Sequence, residues 1–178
     1  MVGTKNNMNC KIRTGELRDT ENLIEISDFV VSEGEYFITV SEELEKSSLE
    51  EEREQIQKIL DNERETLIVA EIDGAVVGSI KIRSNKLKRM SHTGTISMSL
   101  SKNYRGLGIG KLLLQAMLDW AEKNPIIEKV SLGVLSTNHR AISLYKSMGF
   151  VKEGRLIKEY KINEDTYVDD ILMYKFVK

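Results

Sequence analysis

Apolar residues recur along this chain at two spacings, one typical of helices and the other of strands. Leu113, Met117 and Trp120 recur every three or four residues, whereas Val130 and Leu132 alternate with polar neighbours. Helices are predicted to begin after Asp19 and to cover Ser48–Asp61, Gly110–Glu122 and Asn138–Met148. Strands are predicted over Lys11–Thr14, Thr66–Ile72, Ala75–Ile82, Thr93–Leu100, Val130–Val134, Phe150–Ile162 and Thr166–Phe176. This order predicts one mixed α/β (α+β) domain over residues 1–178.

Short local signals support several of these boundaries. Ser48 and Glu51 have the spacing of a capping box at a helix start. Asp73-Gly74 is a residue pair favoured in tight hairpin turns, and Gly149 is placed to end the last helix. A terminal hairpin is predicted around Asn163-Glu164-Asp165.

The composition indicates a globular protein without general affinity for polyanions. Hydrophobic residues make up 40% of the chain, charged residues 30%, and the net charge is -2. Cys10 is the only cysteine, so no intrachain disulfide can form, as is usual in a reducing cytoplasm. Residues 1–18 lack the apolar segment of a signal peptide. We therefore expect a cytoplasmic protein with no nucleic-acid or membrane partner.

A glycine-rich segment, Arg105-Gly-Leu-Gly-Ile-Gly110, links a predicted strand to a predicted helix. Alternate glycines expose successive main-chain N–H groups, the helix adds the positive end of its dipole, and Arg105 adds a full charge. A Walker A loop is excluded because Gly110-Lys111 is followed by Leu112, and the dinucleotide fingerprint also fails to match. The pattern Arg-x-x-Gly-x-Gly therefore predicts a site for another phosphate-bearing ligand.

A second pattern lies further along the chain, Asn138-x-x-Ala-x-x-Leu-Tyr-x-x-x-Gly-Phe150. By itself it describes a capped helix with Tyr145 on its buried face. Together the two patterns resemble the acyl-CoA-binding signatures of the GNAT superfamily of N-acetyltransferases. The resemblance covers roughly Cys10–Phe176 and matches the predicted order of helices and strands.

The resemblance implies a twisted mixed sheet of about seven strands flanked by about four helices, in which the fourth and fifth strands separate at one end. It implies acetyl-CoA as co-substrate, with its pantetheine arm in that gap, bound to backbone like an added strand. It also implies that Tyr145 lies beside the thioester sulfur. The cofactor-binding residues it implies are Met98, Ser99, Leu100, Arg105, Gly106, Leu107, Gly108, Ile109, Gly110, Lys111, Asn138, Ala141 and Tyr145.

The chemistry expected at Tyr145 requires no metal. A free thiol has a pKa near 8.5 and tyrosine one near 10, so Tyr145 can donate a hydrogen bond or a proton to the departing thiolate. An unpaired backbone N–H at the separated strand would polarise the carbonyl. Tyr145 is accordingly the predicted catalytic residue.

The general base and the acceptor are left open by the sequence. Many members of the superfamily carry a glutamate in the fourth strand, where this chain has Thr95. Glu33, Glu35, Asp169 and His92 are the alternatives, acting directly or through water. Glu33 and Glu35 are also the predicted acceptor-binding residues, and their charge favours a cationic small molecule over an amino acid, an antibiotic or a protein N-terminus.

The sequence therefore predicts an acetyl-CoA-dependent N-acetyltransferase acting on a primary amine. The alternative is a non-catalytic acyl-CoA sensor or interaction module. The presence of Tyr145 favours the enzyme, whereas the absence of the fourth-strand glutamate leaves the sensor as an alternative. The resemblance also makes a homodimer an expectation.

Overall fold

The computed structural model describes residues 2–3, 9–34 and 48–178, with side chains from residue 9 onward. Its strands are β1 Val2–Gly3, β2 Asn9–Thr14, β3 Thr66–Ile72, β4 Ala75–Ser84, β5 Thr93–Leu100, β6 Lys129–Leu135, β7 Val151–Lys161 and β8 Tyr167–Phe176. They form one sheet in the order β1-β2-β3-β4-β5-β6-β8-β7. Only the pair β5 and β6 is parallel among these neighbours. The predicted fold class is confirmed.

Four α-helices cover the two faces of the sheet in the described part of the chain. They are α1 Thr20–Ser32, α2 Leu49–Leu60, α3 Ile109–Lys123 and α4 His139–Ser147. Helices α3 and α4 pack on one face over the larger core, where Leu113, Leu114 and Met117 have no exposed surface. Each such side chain contributes about 1.5–3 kcal/mol relative to exposure.

Helices α1 and α2 pack on the opposite face over a smaller core. Ile26 and Val30 of α1 meet Ile56 and Ile59 of α2 above the apolar residues of β3 and β4. The three-residue and four-residue spacing in both helices directs these side chains to the sheet. The more distal part of the same sheet face, over β5 and β6, is not covered by this cluster.

The predicted turn and cap signals are present. Ser48 Oγ accepts a hydrogen bond from Glu51 N at 3.2 Å, and Glu51 Oε2 accepts one from Ser48 N at 2.7 Å. Asp73 and Gly74 have φ values of 50° and 83°, the left-handed pair that a two-residue hairpin requires. Gly149 follows α4 with φ 88°, as expected of a glycine that ends a helix.

Asp19 differs from its predicted role as a helix cap. Its side chain makes no capping hydrogen bond to α1 and instead accepts two bonds from Arg13, at 2.7 and 2.8 Å, and one from Glu16 N at 2.8 Å. Arg13 also donates to Glu71 at 2.7 Å. Arg13, six residues earlier on β2, therefore holds the Asp19 carboxylate away from the first turn of α1.

Two further properties concern the molecule as a whole. Cys10 is completely buried in the larger core, and this burial raises the pKa of its thiol. No helix in the described ranges is long and apolar enough to cross a membrane.

Candidate active site

Strands β5 and β6 pair at one end and separate at the other. Their register joins Thr93–Thr95 to Lys129–Ser131 and goes no further. Beyond this point β5 remains paired with β4 as far as Leu100, and β6 remains paired with β8. The edge of β5 over Ile96–Leu100 therefore faces a gap. This edge includes the predicted pantetheine-binding residues 98–100, and apart from Leu100 O its backbone groups on the gap side can pair with an added extended segment.

The glycine loop lies where β5 ends and α3 begins. Gly106 and Gly108 have φ values of 86° and 90°, which other residues rarely adopt. Within the described residues, the N–H groups of residues 106–110 donate to no protein acceptor, whereas Lys111 N donates to Gly108 O. No heavy atom lies within 4 Å of a Cβ built on Gly108, so the loop is open to an approaching group. Unpaired amides at a helix N-terminus fit the phosphates of acetyl-CoA.

Arg105, predicted to bind the pyrophosphate, is engaged by the protein itself. Its guanidinium donates to both carboxylate oxygens of Glu33, at 3.1 and 2.5 Å, and to Leu100 O at 3.0 Å. Lys102 lies 3.6 Å from the same carboxylate. Arg105 and Glu33 are 17% and 10% exposed, so this ion pair is largely shielded from water. It ties the C-terminal end of α1 to the glycine loop.

The Arg105 hydrogen bonds are the largest cause that holds the pKa of Glu33 below its usual range. Its predicted role in acceptor binding stays a prediction, and in the structure both oxygens contact cations. Glu35 lies outside the described residues.

Arg140 provides a second cation at the loop. Its guanidinium lies 3.1 Å from the position of a Cβ on Gly106, and it makes no ion pair within the residues described. Lys111, in the first turn of α3, is also exposed. Sequence reasoning missed Arg140 because it fills a variable position of the second pattern. Its proximity to a predicted phosphate loop, once α4 is docked, is the signal that identifies it.

The two sequence patterns meet in space. A Cβ on Gly110 would lie 3.4 Å from Leu144 of α4 and 3.7 Å from Met98 of β5. Asn138 caps α4, since its Oδ1 accepts a hydrogen bond from Ala141 N at 3.1 Å. The distances at Gly110 are ordinary van der Waals distances, so the start of α3 packs directly against α4 and β5. Three elements thus converge at the wide end of the gap.

Tyr145 is 7% exposed in the larger core, and its ring lies 5.7 Å from that of Phe150. Its hydroxyl makes no hydrogen bond to any described residue. The hydroxyl is not completely buried either. Among the described residues, Arg53 Nε is the only side-chain nitrogen or oxygen that is both fully buried and without a hydrogen-bond partner, so Tyr145 Oη keeps some contact with solvent. Burial raises the pKa of Tyr145 to about 12. The group therefore remains a protonated hydrogen-bond donor at neutral pH.

A carboxylate that the sequence did not single out lies at the start of the gap. Asp170 of β8 is 8% exposed, and a Cβ on Gly133 would lie 2.7 Å from its Oδ2. Gly133 is two residues beyond Ser131, where the pairing of β5 and β6 ends. The pKa of Tyr160 is raised by burial and then by this carboxylate, which also accepts its hydrogen bond. The missing side chain of Gly133 leaves the space that the carboxylate occupies.

The other candidate bases have different surroundings. Asp169 contacts Arg155 and accepts a hydrogen bond from Lys158 N at 2.6 Å, which stabilises the bulge in β7. These contacts lower the pKa of Asp169, the backbone bond most of all. His92 precedes Thr93 at the closed end of the strand pair, where its carbonyl accepts from Glu128 N. His92 therefore lies away from the gap, and both carboxylate oxygens of Asp169 are engaged by Arg155 and the Lys158 amide.

Comparisons with known proteins agree with this geometry. Residues 33–150 match the family model of the Acetyltransferase (GNAT) family. An N-alpha-acetyltransferase of Sulfurisphaera tokodaii is 31% identical over 89% of this chain and 90% of its own. An L-amino acid N-acetyltransferase of Escherichia coli is 30% identical over 60% of this chain and 65% of its own. The crystal structure of a GNAT-family acetyltransferase from Streptococcus pneumoniae matches with a TM-score of 0.89 at 27% identity, over 94% of this chain and 99% of its own.

The family match together with the separated parallel strand pair identifies the class of protein as an acetyltransferase. The chain belongs to the GNAT family of acetyltransferases. Acetyl-CoA is its co-substrate, as predicted. Among the residues that the structure describes, no three histidines, cysteines, aspartates or glutamates are grouped to hold a metal ion.

Proposed function

We propose that this acetyltransferase transfers the acetyl group to a primary amine by direct attack on the thioester. The observation that carries the proposal is the gap between β5 and β6, which has the glycine loop at its open end and the Asp170 carboxylate where the strands part. Acetyl-CoA supplies an activated acyl group, so positioning of the amine beside it accounts for much of the rate.

We assign to Asp170 the role of the general base that accepts the proton of the amine. As the new N–C bond forms and the C–S bond breaks, one amine proton passes to this carboxylate, directly or through one water. Asp170 makes no ion pair with any described cation, so its oxygens are not neutralised as those of Asp169 are. Its position beside exposed Gly133 supports contact with a bound amine.

We assign to Tyr145 the role of stabilising the departing sulfur. With a pKa of about 12, Tyr145 is about 3.5 units less acidic than a free thiol, which opposes full proton transfer by about 5 kcal/mol. Donation of a hydrogen bond to the thiolate carries no such cost. The raised pKa therefore favours Tyr145 as a hydrogen-bond donor, and the thiolate takes its proton from water afterwards.

The proposal is tested with acetyl-CoA and a panel of amines that includes amino acids, their amides, diamines and short peptides. Release of the coenzyme A thiol is measured together with the mass of the product. We expect a gain of one acetyl group on the amine and an equal amount of free thiol. Tight binding of acetyl-CoA without turnover of any amine would favour the sensor instead.

A further inference from the structure

A cavity of about 420 Å³ lies between α1, α2 and the face of the sheet on which these two helices pack. Its sheet wall includes Ser79, Lys81 and Arg83 of β4 together with Ser97 and Ser99 of β5. No sequence pattern pointed to it, because its residues come from five elements and carry no common motif. The cavity is on the sheet face opposite α3 and α4, since the alternating residues Ile80 and Ile82 pack in the larger core.

The polar residues of this wall are cross-strand neighbours. The register of β4 and β5 places Ser79 opposite Ser99 and Lys81 opposite Ser97. Side chains of directly opposed residues have their Cβ atoms about 4.5–5.5 Å apart, so three hydroxyls and one ammonium group share a compact patch. Within the described residues none of these four side chains has a hydrogen-bond or ion-pair partner. The patch therefore offers several unused donors to one ligand.

The Lys81 ammonium is the charge of this patch. Its side chain is accessible from the cavity, yet desolvation is the largest cause that lowers its pKa, followed by the nearby charge of Arg83. Arg83 itself is occupied, with Glu65 at 3.3 Å and Gln55 at 3.4 Å. An anion that contacts Lys81 would offset both the desolvation and the repulsion.

The carboxylates that line the cavity are confined to the opposite, helical wall. Asp28 of α1 and Glu52 of α2 lie there, and among the described residues neither forms an ion pair with Lys81, although the charge of Glu52 partly offsets the lowering of the Lys81 pKa. The anion-accepting character thus belongs to the sheet wall alone. A zwitterionic molecule can therefore bind with its anionic group at the sheet wall and its cationic group directed away from that wall.

We infer that the Lys81 patch binds the carboxylate of the amine acceptor, so that the acceptor is a free amino acid. The inference rests on the proposed function and names the substrate class of the same site. Ser97 and Ser99 lie on β5, whose other edge borders the gap, and strands are spaced about 4.8 Å apart. A carboxylate on the patch and an amine at the gap are therefore separated by the few bonds of one amino acid. A cationic acceptor, favoured by the sequence, would instead be repelled by the Lys81 ammonium on this wall.

The test compares free L-amino acids with their α-amides, which keep the amine and lose the carboxylate charge. We expect kcat/KM to be about tenfold or more higher for the acid than for the amide, mainly through KM. In Lys81→Gln this preference should disappear while turnover of the amide is unchanged. Lys81→Arg should retain part of the preference, and Lys58→Gln, an exposed lysine of α2, should retain all of it.

Binding of N-acetylated amino acids in the presence of coenzyme A, measured by calorimetry, provides a readout that does not require turnover. Lys81-dependent binding without acetylation of any amine would retain the carboxylate site and overturn the proposed function. Acetylation with equal rates for acids and amides would retain the function and overturn the site. Preference for peptides or diamines, or equal losses for acid and amide in Lys81→Gln, would also overturn it.

Discussion

The surroundings of Tyr145 and Asp170 suit these two residues to different roles in the proposed reaction. Burial keeps the tyrosine hydroxyl protonated, whereas Asp170 sits in a space created by the absence of a side chain on Gly133. One group donates and the other accepts, and they come from opposite faces of the sheet. In the proposed reaction the acetyl carbon lies between them.

Replacement of Tyr145 by phenylalanine keeps the ring packing against Phe150 and removes only the hydroxyl. We expect acetyl-CoA affinity to stay near that of the wild type, while the single-turnover rate falls about ten- to a hundredfold, as for loss of one hydrogen bond to a charged group. Single-turnover transfer at saturating acetyl-CoA measures this directly, because slow product release cannot mask it. Equal rates for the two proteins would remove Tyr145 from the mechanism.

Replacement of Asp170 by asparagine keeps its shape and removes the proton acceptor. We expect kcat/KM to fall about a hundredfold or more near neutral pH. The loss should shrink as pH rises, because hydroxide becomes an increasingly effective acceptor for the proton that Asp170 otherwise takes. A pH profile of kcat/KM from pH 6 to 10 measures both effects.

Asp169→Asn is the matched control, since the neighbouring carboxylate contacts Arg155 and the Lys158 amide instead. It should lower stability without changing the shape of the pH profile. Identical profiles for Asp170→Asn and the wild type would exclude Asp170 as the base.

The residues identified from sequence are those whose role depends on local backbone geometry. Gly108 and Tyr145 belong to contiguous patterns, so spacing alone locates them. Asp170 depends on the register of β6 with β8, and the contact between Arg105 and Glu33 joins residues 72 positions apart. Sequence spacing carries no record of such contacts, so Arg105 was predicted to bind phosphate without its carboxylate partner.

At the scale of elements, the glycine loop is the junction of β5, α3 and α4. The loop amides owe their availability to positive φ values at Gly106 and Gly108, and α4 approaches through Gly110. The alternating pattern predicted the helices and strands that meet here. It did not predict the Arg140 guanidinium beside Gly106, because helix docking decides which exposed residue faces the loop.

Gly108→Val should weaken binding of acetyl-CoA by placing a branched side chain in the open space before the loop. Gly74→Val is a matched control. Gly74 has a φ of 83°, close to the 90° of Gly108, and no heavy atom lies within 4 Å of a Cβ at either position, but Gly74 is in the β3–β4 turn. Both variants should lose similar stability, about 1–2 kcal/mol from the left-handed backbone. Calorimetry should show reduced affinity only for Gly108→Val. Equal affinities in the two variants would contradict phosphate binding by the loop.

At the scale of the molecule, one sheet carries two cores, and the Glu33–Arg105 pair links the end of α1 to the site. Glu33→Gln should lower the free energy of unfolding by about 1–3 kcal/mol, since a largely buried charge-assisted contact is lost. Because Arg105 depresses the pKa of Glu33, this stabilisation is complete above the unfolded pKa of about 4.3 and is lost as pH falls below it.

Urea unfolding of both proteins between pH 3 and 8 measures the difference. It should be constant above about pH 5 and shrink below about pH 4. Glu54→Gln, which removes a fully solvated pair with Lys58, should change stability by less than about 1 kcal/mol throughout. A difference for Glu33→Gln that persists unchanged at pH 3 would contradict the ion-pair origin.

The burial of Cys10 has a practical consequence for all of these measurements. Transfer of an acetyl group liberates one thiol per turnover, and the chain contains a single cysteine of its own, with no accessible surface. A thiolate must be exposed to react with a chromogenic disulfide reagent, so the folded protein contributes no competing signal. Acetyl transfer can therefore be followed continuously by absorbance, and a delayed rise from the enzyme alone would report its unfolding.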